Sequence, residues 1–232
     1  MAKKRAIEEK EQADEDEQDF ELPSDDGTDE ETEDAPEGHG SDGPVSFLDS
    51  FYGLASSIPA ERSESAQILL NHCLLGPDAN IKDASYTFKR LLNGLCSGRA
   101  AARQGYASAF ASFLKIALEK GVMKQIQEDA AEGSPSLLSF IRNRLLMTCD
   151  PSQAEAGKFG KKKGSEERDY YFGRLFGILA VVRSGILVPS EETDEEELQT
   201  VLDGFASDLI ELLNHKKWMR EPASFAIISF LN

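Results

Sequence analysis

The sequence predicts an all-α fold, and three observations carry that prediction. Past Pro44 the apolar residues recur at spacings of three and four, the period of one face of a helix. No segment sustains the apolar–polar alternation of a half-buried strand. Glycines, prolines and capping residues divide the chain into helix-sized pieces, expected at 46–57, 62–75, 82–96, 98–119, 122–131, 135–148, 166–184, 192–214 and 217–231.

Taken in order, Gly76 and Pro77 in "LLGPDANIKDA" end the second helix, and Asp83 caps or charges the first turn of the third. Ser97 is placed to cap the fourth, starting at Gly98 or Arg99. Along that helix Ala101, Gly105, Ser108 and Ser112 form a small-residue stripe beside a bulky one of Tyr106, Phe110, Phe113 and Ala117, so two faces are built for packing. Arg99 and Arg103 share the remaining face near the N-terminus. The helix dipole opposes cations there by a few tenths of a kcal/mol or more, so a carboxylate on an adjacent helix, an aromatic ring or a phosphate must favour them. Because "GRAAARQG" matches no phosphate loop and follows no strand, packing between helices is the favoured reading.

In "EGSPSLLSF", Ser134 is the expected cap of the sixth helix, with Pro135 at its first position, where a missing N–H is harmless. Asp150 to Glu167 is the one long non-helical insert, rich in glycine and lysine and expected to be an exposed loop. Lys158, Lys161, Lys162 and Lys163 in it are the candidate phosphate contacts for a nucleic acid. A solvated linker is the favoured alternative, because the rest of the folded part is slightly acidic. The seventh helix is apolar all round from Tyr170 to Val182 and so belongs in a core. Gly173 and Gly177 allow close contact there, and Arg174 needs an ion-pair partner if buried. Six carboxylates from Glu191 to Glu197 suit the positive end of the eighth helix better than a metal site. The ninth has Pro222 early, Trp218 just before it as an anchor on the preceding hairpin, and Arg220 as a further inter-helix contact.

Helices of this length joined by short turns match the stacked hairpins of armadillo and HEAT arrays, although no repeat of fixed period stands out. The apolar run "FAIISFLN" at Asn232 has no polar cap, which is expected of the N-terminal part of a longer array or of an end covered by a partner.

Two domains are expected, a tail over 1–44 and a helical segment over 45–232. The tail holds 18 Asp and Glu against four basic residues, whereas the remaining residues carry a net charge of only −3. With almost no large apolar side chains it cannot offset its ordering entropy and reads as disordered. It is either an acidic arm for basic partners or a solubilising tail.

There is no signal-peptide stretch and no apolar run near the roughly 20 residues of a membrane span, so a soluble intracellular protein is expected. Cys73, Cys96 and Cys149 are odd in number and widely spaced, which suits reduced, buried thiols. The histidines are His39, His72 and His215, too few for a Cys/His zinc cluster. No nucleophile–base pair or paired-carboxylate arrangement can be assembled, so no catalytic residue, metal, cofactor or small-molecule substrate is expected.

Three blocks carry a family resemblance: "YTFKRLLNGLCSGRAAARQGYASAFASFL", with its S-x-R-x-x-x-R-x-G turn; "ERDYYFGRLFGILAVVRSGIL"; and "KKWMREPASFAI", with W-x-R-E-P. In order and spacing they resemble the N-terminal region of the DNA polymerase V (phi) and Myb-binding protein family, over about residues 47–232. The resemblance implies a long helical-repeat scaffold of the nucleus and nucleolus, acting in rRNA gene transcription and ribosome biogenesis. It implies partners among nucleolar or transcription proteins, with rDNA or rRNA as the nucleic-acid alternative. Family chains are several times longer and carry basic C-terminal regions. The alternatives are a DNA-binding protein with polymerase-like activity, as the family name implies, and a cytoplasmic peptide-binding adaptor of the armadillo type. The adaptor would need a groove of regularly spaced Asn or Trp, and Trp218 is the sequence's sole tryptophan.

Overall fold

A computed structural model describes residues 46–130, 133–134, 136–153, 163–189 and 194–231. The acidic segment 1–44, Pro135 and the loop lysines Lys158, Lys161 and Lys162 lie outside the described residues, as does the side chain of Lys163. The described chain is all-α, with no strand among its residues.

The first helix, α1 (Ser50–Gly53), is far shorter than the expected 46–57. At its start Ser46 closes a tight turn, its hydroxyl accepting from the Asp49 N–H and donating to the Asp49 carboxylate. At its end Pro59 holds Ile58 extended (φ −85°, ψ 117°). That proline opens α2 (Pro59–Leu70), three residues earlier than expected. A π-helical turn over Asn71–Leu75 follows and stops at Gly76, whose N–H reaches the Asn71 carbonyl at 2.6 Å. In α3 (Ile81–Gly94) the cap is Asn80, accepting from the Asp83 N–H at 2.9 Å, while Asp83 serves as the first-turn charge.

Helix α4 (Ala100–Glu119) starts after an N-cap Arg99 in extended conformation (φ −93°, ψ 125°). Ser97 accepts from the Arg99 N–H but does not cap the helix, because it lies two residues before the N-cap position. The stripe is also rotated: Ala102, Gly105 and Ala109 are buried, whereas Ser108 and Ser112 stay exposed. Alanine loses no hydrogen bond on burial, and a serine hydroxyl does. Gly121, left-handed at φ 70°, turns the chain into α5 (Val122–Asp129). The cap of α6 (Leu137–Thr148) is Ser136, not Ser134. Its extended backbone lets Oγ accept from the Ser139 N–H at 3.1 Å, and the later start turns Phe140, Ile141 and Leu145 inward.

The expected loop at 150–166 is shorter than foreseen. Pro151–Gln153 form a 3₁₀ turn, and α7 (Lys163–Ser184) begins at Lys163. In α8 (Glu195–His215) Asp194 caps the Glu196 and Glu197 N–H groups at 3.0 and 3.2 Å. A single extended residue, Lys216, then leads into α9 (Lys217–Leu231), the span expected, with Trp218 in its first turn.

Residues 44–232 form one unit. Contacts run from α2 to α4 to α7 to α9 in one layer and from α3 to α6 to α8 in the other, with α3 on α4, α6 on α7 and α8 on α9 across the layers. Phe88 of α3 sits at the centre of the first half. Its ring lies 5.9 Å from Phe110 of α4 and 5.9 Å from Phe140 of α6, so three helices share one aromatic contact.

Candidate functional site

The first half of α7 brings together Arg103, Arg174 and Trp218 from among the side chains singled out in the sequence. In "DYYFGR", Asp169 to Arg174, successive side chains reach α4, α8 and α9. Asp169 and Arg103 are both almost fully buried, and Arg103 Nη1 lies 3.3 Å from Asp169 Oδ1. Arg103 also donates to the Ser97 carbonyl and covers the Phe172 ring at 5.0 Å. The other side of Phe172's surroundings is Trp218 of α9, with ring centroids 5.4 Å apart. Tyr171 stacks on His215 of α8 at 3.8 Å, and Arg174 reaches Glu211 at 3.5 Å. Gly173 faces two thiols, Cys96 and Cys149.

Electrostatics follow from this burial. Loss of water pulls the Arg103 guanidinium below its ordinary value, and the Asp169 carboxylate opposes that shift. An unpaired guanidinium at this depth would be expensive, so the pair is a condition of the packing. His215 is likewise lowered, by burial first and by Lys216 second, with Glu211 opposing.

Arg99 and Arg103 therefore part company. Arg99 precedes the helix and turns to α1, donating to the Ala55 carbonyl at 2.9 Å. Nearby, Arg62 donates to the Ser56 and Ser57 carbonyls, and the Tyr106 hydroxyl to that of Phe51. Three carbonyls after α1 and one within it thus receive side-chain donors, which satisfies backbone groups that a longer helix would have paired internally. Gly105 makes the approach possible: a Cβ there would fall 1.9 Å from the Leu54 carbonyl oxygen. Arg220 is exposed and has no hydrogen-bond or ion-pair partner among the described residues.

Sequence reasoning missed Arg142 of α6. It spans to α8 through Nε and Nη2, which lie 3.1 and 2.8 Å from Asp208 Oδ2, and donates to the Gly204 carbonyl. The available signal was Asp208 itself, a carboxylate on the apolar face of Phe205, Leu209 and Leu212. Arg90, inside "KRLLNGL", lies over the Phe51 ring at 4.9 Å and donates to the Tyr86 hydroxyl.

Two open depressions of about 340 and 280 Å³ flank the π turn, one lined by Cys73, Asn80 and Lys120 and the other by Phe47, His72 and Asp78. His72 stacks on Phe47 and pairs with Asp83 at 3.0 Å. Burial pushes the Cys73 thiol up to about 11, so it stays protonated. Among the described residues no group of three or more His, Cys, Asp or Glu is placed to hold a metal ion, and no helix is long and apolar enough to cross a membrane.

A family model described as DNA polymerase phi matches residues 86–232. The rDNA transcriptional regulator pol5 of Schizosaccharomyces pombe is 31% identical over 180 residues, covering 78% of this chain and 15% of that protein. The rDNA transcriptional regulator POL5 of Saccharomyces cerevisiae is 28% identical over 182 residues, covering 77% and 17%. Myb-binding protein 1A of Mus musculus is 30% identical over 156 residues, covering 66% and 9%. The chain thus spans between 9% and 17% of the length of these relatives. No solved structure matches it.

Proposed function

Because the chain belongs to the DNA polymerase phi family, we propose that it is part of a non-enzymatic nuclear scaffold that regulates rDNA transcription and acts in the nucleolus in ribosome biogenesis. Two of the similar proteins are named rDNA transcriptional regulators and one a Myb-binding protein, which supports a role among transcription proteins. The observation that carries the scaffold reading is the convergence at α7. Arg103, Phe172 and Trp218 come from the three separate sequence blocks and meet in one packed chain of contacts. Such a junction fixes the angle between successive helix pairs, as a stacked array requires. On this reading the pairs α3/α4, α6/α7 and α8/α9 are consecutive turns of an armadillo/HEAT-like stack, and the two layers are its two rows of helices.

The acidic segment 1–44 is then an arm for basic partners, and Lys158, Lys161, Lys162 and Lys163 supply phosphate contacts to rDNA or rRNA. Chromatin immunoprecipitation across the rDNA repeat, with imaging of the tagged protein, tests the reading. Enrichment on rDNA and nucleolar signal support it; exclusion from the nucleolus together with absence from rDNA chromatin and pre-ribosomal particles would overturn it. The matched model's polymerase description favours a second reading, testable by primer extension. Activity abolished by replacing a defined carboxylate pair would establish it over the scaffold.

A further inference from the structure

We infer that Cys96 and Cys149 form a dithiol site that closes to an intramolecular disulfide, tying the end of α3 to the end of α6 beneath α7. The sulfurs lie 3.4 Å apart although the residues are 53 positions apart in sequence. A disulfide needs about 2.05 Å, so closure requires a movement of less than the width of one atom. Both are free thiols, Cys149 fully buried and Cys96 partly exposed, which gives the two sulfurs different access to a reagent.

Gly173 makes the pairing possible. A Cβ at that position would stand 2.6 Å from Cys96 Sγ and 3.2 Å from Cys149 Sγ, so any larger residue would press on both sulfurs. The absence of a side chain at this point of α7 leaves the room the two thiols occupy. Cys149 also has its thiol held protonated by the neighbouring Cys96 and by burial. It therefore suits the second step of an oxidation and not the first.

The oxidant is hydrogen peroxide. Cys96, as thiolate, attacks one peroxide oxygen; the S–O bond forms, the O–O bond breaks, and the departing hydroxide takes up a proton as water. The Cys149 sulfur, giving up its proton, then attacks the Cys96 sulfur; the S–S bond forms, the S–O bond breaks, and the sulfenic oxygen leaves as water. Two electrons pass from the two sulfurs to the peroxide, and two thiols plus one peroxide yield one disulfide plus two waters.

The closed bond would enclose the whole of α4, α5 and α6, a loop long enough for a large effect on the unfolded chain. Oxidised protein is expected to melt about 5 °C or more above the reduced form. The direct test treats the folded protein with a few equivalents of hydrogen peroxide, blocks remaining thiols under denaturing conditions and maps the peptides by mass spectrometry. A Cys96–Cys149 linked peptide, with Cys73 still alkylated, is expected. In Cys149→Ser, Cys96 should instead accumulate as a sulfenic acid trapped by a dimedone-type probe. Free Cys96 and Cys149 after treatment, a bond from either to Cys73 or to a second copy, or sulfinic acid at Cys96 in the wild-type protein would overturn the assignment.

Discussion

Arg103 and Arg99 carry the same side chain four positions apart, and the structure gives them different work. Arg103 is buried against Asp169 and Phe172, whereas Arg99 reaches a carbonyl after α1. Removing one member of a buried pair leaves the other uncompensated. Arg103→Ala should therefore cost about 3 kcal/mol in urea unfolding, and the Arg103→Ala, Asp169→Ala double variant less than the sum of the singles by about 1 kcal/mol or more. Full additivity would mean the two side chains do not act together. His215 provides a pH test. Its folded-state pKa lies below the ordinary value, so on acidification the unfolded chain takes up the proton first. The stability this confers is complete above the ordinary histidine pKa of about 6.5 and is lost as pH falls from there through the folded value. His215→Phe keeps a ring against Tyr171 and removes the titration, so its melting temperature should fall less steeply between pH 7 and 5; an unchanged slope would exclude His215 as the cause. The need for a partner at Arg103 was legible from the helix dipole, but not which partner. That depended on Asp169, 66 positions away, a distance only the tertiary fold closes.

Among the elements, the interiors of helices were legible and their ends less so. Apolar spacing fixed α3, α4 and α5 to within a few residues. The α1 segment is shorter than expected because four of its carbonyls are taken by the side chains of Arg62, Arg99 and Tyr106, a competition no local pattern records. Similarly, Ser134 and Ser136 are equal candidates for a cap by residue type, and only the inward positions of Phe140 and Ile141 decide between them. Gly105 gives this scale its prediction. Alanine is favoured over glycine in an isolated helix by about 1 kcal/mol, yet here its methyl would strike the Leu54 carbonyl. Gly105→Ala should lose about 2 kcal/mol through displacement of α1 from α4. A gain in stability would show that the two elements do not make backbone contact.

For the whole molecule, charge and packing divide the chain. Most of the negative charge lies in residues 1–44, while the helical unit consumes its buried charges in pairs between helices, Arg103 with Asp169 and Arg142 with Asp208. The all-α class was legible from periodicity, but the two-layer order was not, because layers are made by contacts between helices far apart in sequence. If the lysines of 158–163 contact phosphates, replacing all four with glutamine should reduce the slope of log binding constant against log salt by about 3; an unchanged slope would assign them to a solvated linker. The proposed function makes rDNA transcription depend on this helical scaffold and its packing. Pulse-labelling of precursor rRNA after depletion of the full protein, with re-expression of wild-type or Arg103→Ala chains, tests it most directly. The expected result is a fall in labelling that wild-type protein restores and Arg103→Ala restores only in proportion to its folded fraction at the growth temperature. Unchanged precursor labelling on depletion would contradict the account.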